Sequence, residues 1–166
     1  LKLDDPALAE RKLEWHFIGP LQANKSRAVA ERFAWIHSLD RLRVATRLNA
    51  QRPAHLPALN VCIQVNLSGE SSKSGLAQDQ LTTFAAHIAE LPQLRLRGLM
   101  TIPAPCADLE RQRVPFRRLR ELLEQLREQG HAVDTLSMGM SGDWNIAVDE
   151  GSTMIRVGSA IFGART

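Results

Sequence analysis

The chain has 166 residues, 44% hydrophobic and 23% charged, with a formal net charge of +3. That balance fits one globular domain with a real core over residues 1–166, and no apolar stretch approaches the roughly 20 residues that cross a bilayer. With no signal segment at its start, and with Cys62 and Cys106 too far apart for a metal knuckle or a disulfide scaffold, it reads as a cytoplasmic protein with reduced thiols, no metal and no membrane partner.

In chain order, Asp5 and Pro6 predict a helix over residues 4 to 13, capped by the aspartate. EWHFIG (14–19) reads as the first strand, and in HFIGPLQANKS (16–26) Asn24 and Lys25 open the next helix. His16 is either a hydrogen-bonded core residue or part of a site. WIHSL (35–39) and NVCIQVNL (60–67) follow as strands, then QVNLSGESSKSGL (64–76), whose Lys73 is either solvated or ligand-binding. Leu81, Phe84, Ala85, Ile88 and Leu91 recur at helical spacing before the strand LRLRGLMTI (94–102). Phe116, Leu119, Leu123 and Leu126 mark a helix over 108–129, with Pro115 predicting a kink or a late start. Its arginines (111, 113, 117, 118 and 120) alternate with glutamates, the pattern of a solvated face rather than a nucleic-acid surface. TLSMGM (135–140) and MIRVGSAIFG (154–163) are the last two strand-like runs.

A helix, five strand–helix units and a last strand predict a parallel α/β sheet, either doubly wound or closed as a barrel. A (β/α)8 barrel needs eight strands, so two leading units would be missing. Leu1 is not an initiator methionine, and the sequence reads as a piece of a longer protein, incomplete at its N-terminus.

In such folds chemistry gathers at the carboxyl ends of strands. SMGMSGD (137–143) lies at one, where Ser141 can cap the following helix and its N–H groups can meet an anion. Gly158-Ser159 lies at the next, where a phosphate can approach closely and a hydroxyl can donate to it. Arg156, two residues before Gly158, shares its side of the strand. A guanidinium inside an apolar run needs either a core carboxylate or a ligand, and the strand runs hold almost no Asp or Glu. Met100, Met138 and Met140 have the character of packing residues.

HFIGPLQANKS, IHSLDRL, IQVNLSGESSKSGL, LRGLMTIPAP, LSMGMSGD and GSTMIRVGSAIFGAR, running from Trp15 to Arg165, together closely resemble the YggS/PROSC family of pyridoxal phosphate homeostasis proteins. The resemblance implies a TIM barrel of the alanine racemase N-terminal type, here with about six of its eight strands, that binds pyridoxal 5′-phosphate (PLP). It implies a cofactor-binding set of Arg156, Gly158, Ser159, Ser141, Ser137, Gly139, Met140, His16, Asn24 and Lys73, with no catalytic residue. Arg156 would face the pyridine nitrogen, because a guanidinium only donates hydrogen bonds and so suits an unprotonated ring. The family's Schiff-base lysine stands on a first strand preceding the matched part, and none of Lys2, Lys12, Lys25 and Lys73 fits its motif.

The function so implied is a non-catalytic PLP carrier and reservoir in cofactor homeostasis, with PLP-dependent apoenzymes as recipients. The alternative is a PLP-dependent amino-acid racemase, for which the chain offers neither a second domain nor any tyrosine. The complete protein is expected to be a monomer. A six-stranded piece with two unpaired edges is expected to be unstable or to self-associate.

Overall fold

In the computed structural model, which describes residues 4–9, 11–68 and 74–163, six parallel strands pair strictly in chain order. They are β1 (His16–Phe17), β2 (Trp35–Leu39), β3 (Leu59–Gln64), β4 (Leu94–Met100), β5 (Thr135–Met140) and β6 (Met154–Arg156). A helical turn, α1 (Pro6–Ala9), precedes them. The connections carry α2 (Ser26–Arg32), α3 (Leu42–Gln51), α4 (Leu81–Ala89), α5 (Leu109–Glu128) and α6 (Trp144–Asp149), and α7 (Ser159–Phe162) follows β6.

A doubly wound sheet reverses its strand order at a switch point. This order never reverses, which is the barrel arrangement. The sheet also curls. His37 on β2 lies 2.7 Å from the Ser137 hydroxyl on β5, whereas three strand spacings across a flat sheet would hold them about 14 Å apart.

The two faces differ chemically because alternate side chains point to opposite sides. Ile36, Val61, Ile63, Leu99, Leu136 and Met138 join the apolar faces of the helices in one large buried core. The other face holds a small second cluster, Trp35, Cys62 and Met100, with Met154 against it. Burial there pushes the Cys62 thiol up to about 12, so it packs as an inert hydrophobe.

Several elements depart from the sequence expectation. The helix expected over 4–13 is only the turn Pro6–Ala9, with Asp5 Oδ1 accepting from the Ala7 N–H at 2.9 Å. One turn is too short to persist without a buried face, and Pro6 and Ala7 are exposed. The first strand is two residues, paired with Trp35 and Ile36 only. Helix α5 does not start late at Pro115: Asp108 caps it by accepting from the Glu110 and Arg111 N–H groups, and the helix runs through the proline. Its arginine face is not simply solvated either. Arg113, Arg117 and Arg120 converge on Glu150, a buried carboxylate at the end of α6, at 3.5, 3.2 and 3.3 Å. Burial pushes the Glu150 carboxyl up, but the Arg117 hydrogen bond and the neighbouring charges outweigh it and hold the group below its usual range. Finally, MIRVGSAIFG is strand only to Arg156. The chain leaves the sheet after Arg156 and turns helical at Ser159, leaving Ile161 and Phe162 exposed.

Candidate functional site

A cavity of about 1030 Å³ opens between the two ends of the sheet. His16 and Ile18 line it from the β1 side, His37 from β2, and Met140 and Ser141 from the end of β5. Met154 to Ser159 complete it from β6 and the following turn.

Arg156 is half-buried in its wall. Its Nη1 donates to the Ser137 hydroxyl at 2.9 Å and its Nη2 to the Thr101 carbonyl at 2.9 Å. Both partners are neutral, and among the described residues no carboxylate pairs with it. Burial lowers its pKa from the ordinary value, partly offset by the charge of Asp143, yet a guanidinium remains protonated. A cation held by two neutral acceptors keeps unspent donors for a further acceptor, which distinguishes it from an arginine spent on a core salt bridge.

Behind Arg156 runs a chain of polar side chains. Ser137, fully buried, also lies 2.7 Å from His37 Nδ1. His37 Nε2 lies 2.8 Å from His16 Nδ1, and His16 Nε2 lies 3.1 Å from Glu14 Oε1. Trp35 stacks on His16 with centroids 5.3 Å apart and also donates to Glu14 Oε1 at 3.0 Å. His16 is therefore hydrogen-bonded within the barrel and lines the cavity at once.

The two loops expected to meet an anion do meet each other. Ser141 does not cap α6, whose N-cap residue is Asp143. Its hydroxyl instead accepts from the Gly158 and Ala160 N–H groups, each at 3.2 Å. Ser141, Gly158 and Ser159 all line the cavity, with open space where a Gly158 side chain would stand. Gly139 serves packing. It has φ +93°, and a Cβ there would lie 2.7 Å from that of Ala147, so glycine lets α6 settle on β5.

The remaining candidates lie elsewhere. Asn24 is exposed on the turn Ala23–Lys25 and does not line the cavity. Lys73 lies outside the described residues. Neither described lysine, Lys12 or Lys25, lines the cavity. Glu14, Trp35, His37 and Thr101 escaped the sequence reading, although a histidine beside Trp35, Ile36 and Leu39 in the strand run WIHSL was a usable signal: a strand buried on both faces admits a polar side chain only with partners.

The alanine racemase N-terminal domain family matches residues 7–166. The pyridoxal phosphate homeostasis protein of Pseudomonas aeruginosa is 57% identical over 158 residues, 95% of this chain and 67% of that protein. That of Escherichia coli is 59% identical over 153 residues, 92% of this chain and 65% of that protein. The chain thus spans about two thirds of the length of these relatives. Among solved structures, PipY of Synechococcus elongatus with PLP bound superposes with a TM-score of 0.86 at 35% identity, covering 95% of this chain and 74% of that one. The alanine racemase of Corynebacterium glutamicum, with a TM-score of 0.70 at 21% identity over 96% of this chain and 44% of that one, shares the fold. The chain belongs to the alanine racemase N-terminal domain family and, within it, to the group of the pyridoxal phosphate homeostasis proteins.

Proposed function

We propose that this chain carries the ring-nitrogen and phosphate halves of a PLP-holding site, and that the protein it belongs to is a non-catalytic carrier that delivers the cofactor to PLP-dependent apoenzymes. The observation that carries this reading is Arg156, a cavity-lining guanidinium whose bonds are all to neutral acceptors. The bound cofactor in the related PipY structure supports the choice of ligand.

The donor set suits the group at both ends. Arg156 would donate to the pyridine nitrogen and, being unable to give up its proton, would leave that nitrogen unprotonated. The Ser141 and Ser159 hydroxyls would hold the phosphate beside Gly158, with the Gly158 and Ala160 N–H groups keeping Ser141 in place. His16 and His37 flank the space between. PLP supplies a reactive aldehyde and an electron-accepting ring, and a donor-only partner at the nitrogen weakens the ring as an electron sink. Such a site suits storage better than turnover. No lysine among the described residues lines the cavity to take the aldehyde, so those residues by themselves would give reversible, phosphate-anchored binding.

The test is a PLP titration of the 166-residue chain by visible absorbance, followed by borohydride reduction and peptide mapping. The reading expects binding that inorganic phosphate competes away, no stable label on Lys12 or Lys25, and roughly tenfold weaker binding after Arg156→Ala, the loss of about one charged hydrogen bond. Unchanged affinity and spectrum in Arg156→Ala, Ser141→Ala and Ser159→Ala would overturn the placement. D-alanine formed from L-alanine by the complete protein would instead make it a racemase.

A further inference from the structure

Two ends of the polar chain behind Arg156 have fixed hydrogen-bonding sense. A guanidinium only donates and a carboxylate only accepts. Arg156 Nη1 donates to Ser137 Oγ, and Glu14 Oε1 accepts at the far end, with three groups between them able to do either. The contacts along the way are 2.7 Å from Ser137 Oγ to His37 Nδ1, 2.8 Å from His37 Nε2 to His16 Nδ1, and 3.1 Å from His16 Nε2 to Glu14.

With both rings neutral, one sequence satisfies every contact. The Ser137 hydroxyl donates to His37 Nδ1, the His37 Nε2–H donates to His16 Nδ1, and the His16 Nε2–H donates to Glu14. In the opposite sense His16 would need its Nε2 to accept from a carboxylate that has no hydrogen to give. Each ring is thereby set as its Nε2–H tautomer.

We propose that Glu14, His16, His37 and Ser137 are positioning residues for Arg156, a one-way hydrogen-bond relay that fixes the guanidinium and makes the site selective for an unprotonated, hydrogen-bond-accepting ligand atom. Ser137 holds Nη1 and the Thr101 carbonyl holds Nη2, so the guanidinium, which lines the cavity, cannot turn. Trp35, stacked on His16 with an interplanar angle of 7° and bonded to the same Glu14 oxygen, holds the outer end of the relay. A cationic ligand atom finds no acceptor in this line, because the buried hydroxyl and both imidazole lone pairs are already spent on their neighbours. An extra proton on either ring ends the order: a protonated imidazole donates from both nitrogens, and its neighbours must change from donor to acceptor. The relay runs from Glu14, just before β1, to Arg156 on β6, and ties four strands of the curled sheet to the cavity wall.

The identity of the ligand rests on the PLP reading above; the relay does not, so its first test uses ligand-free protein. Nitrogen-15 spectra of the imidazoles at neutral pH should show His16 and His37 both as Nε2–H tautomers. Glu14→Gln replaces the acceptor-only end by an amide that can donate, while keeping an oxygen for Trp35. It should populate the Nδ1–H tautomer at both rings. Ser137→Ala should leave the Nε2–H tautomers, which the Glu14 end fixes, but strip His37 Nδ1 of its donor and so move that nitrogen's signal toward a free acceptor. It should also speed Arg156 side-chain N–H exchange roughly tenfold, as the loss of one hydrogen bond implies, and Ser137→Thr should restore both. An Nδ1–H tautomer at either ring in the unmodified chain overturns the relay, as does Ser137→Ala with unaltered imidazole signals and Arg156 exchange. In a PLP titration Ser137→Ala should weaken binding while Ser137→Thr retains it. Correct tautomers with no PLP binding by the unmodified chain would sink the ligand assignment and leave the relay standing.

Discussion

Arg156 and His37 share one hydroxyl: Ser137 Oγ accepts from Arg156 Nη1 at 2.9 Å and lies 2.7 Å from His37 Nδ1. A second proton on that imidazole would aim two cations at one oxygen, so His37 stays neutral. Burial, then repulsion from His16 when that ring is protonated and from Arg156, lower its pKa from 6.5 to about 4.

This depression makes stability depend on pH. As pH falls the unfolded chain protonates His37 first, so the contribution is full above about 6.5 and disappears as pH drops through about 4. The integrated effect is on the order of 3 kcal/mol. Denaturant unfolding of the 166-residue chain at pH 7 and pH 4.5 should show a steeper loss in the unmodified chain than in His37→Gln. Equal losses would mean that the buried imidazole does not titrate as its surroundings dictate.

Gly98 tests the strand register. It pairs with Thr135 across β4 and β5, and a Cβ there would lie 1.8 Å from the Thr135 carbonyl oxygen. No side-chain rotation relieves a backbone clash, so Gly98→Ala should cost about 4 kcal/mol or prevent folding. Circular dichroism and urea midpoints measure this directly, and a near-neutral variant would show the register to be wrong.

Arg52 is a buried cation with a structural role. It donates to the carbonyls of Ala30, Phe33 and Pro57 at 2.6, 2.7 and 2.8 Å, closing the end of α2 against the approach to β3. Arg52→Met keeps much of the bulk and strands the three carbonyls, so it should lower stability by roughly 3 kcal/mol while PLP affinity, measured where the variant remains folded, holds.

The contrast between Arg52 and Arg156 explains what the sequence could reveal. Both are arginines in apolar surroundings. Arg156 drew attention because Gly158 and Ser159 follow it in a short window, whereas nothing near Arg52 in sequence names its carbonyl partners. The strand–helix alternation was legible through period and turn residues, and strand order decided for the barrel what periodicity had left open. Short elements were the least legible: the 4–13 segment and the 157–163 run have apolar residues but no face to bury, and they shrink to single turns. The relay was invisible because its members stand at positions 14, 16, 37, 137 and 156, and only curling of the sheet brings β2 against β5.

The sheet's two edges carry a further consequence. β1 pairs only with β2, and β6 only with β5, while Ile18, Ile155, Ile161 and Phe162 are exposed near the cavity between them. Unpaired strand edges beside apolar side chains invite association. Sedimentation of the 166-residue chain should show concentration-dependent oligomers. A monodisperse monomer with cooperative unfolding would show that the edges are protected as they stand.

The most direct measurement is the spectrum of PLP labelled with nitrogen-15 in its ring, bound to this chain and to Arg156→Ala. A guanidinium at the ring nitrogen predicts an unprotonated, hydrogen-bonded signal that stays constant across the range where free PLP titrates, with titration restored in Arg156→Ala. A bound ring that protonates as the free cofactor does, equally in both proteins, would contradict the assignment of Arg156 and with it the proposed site.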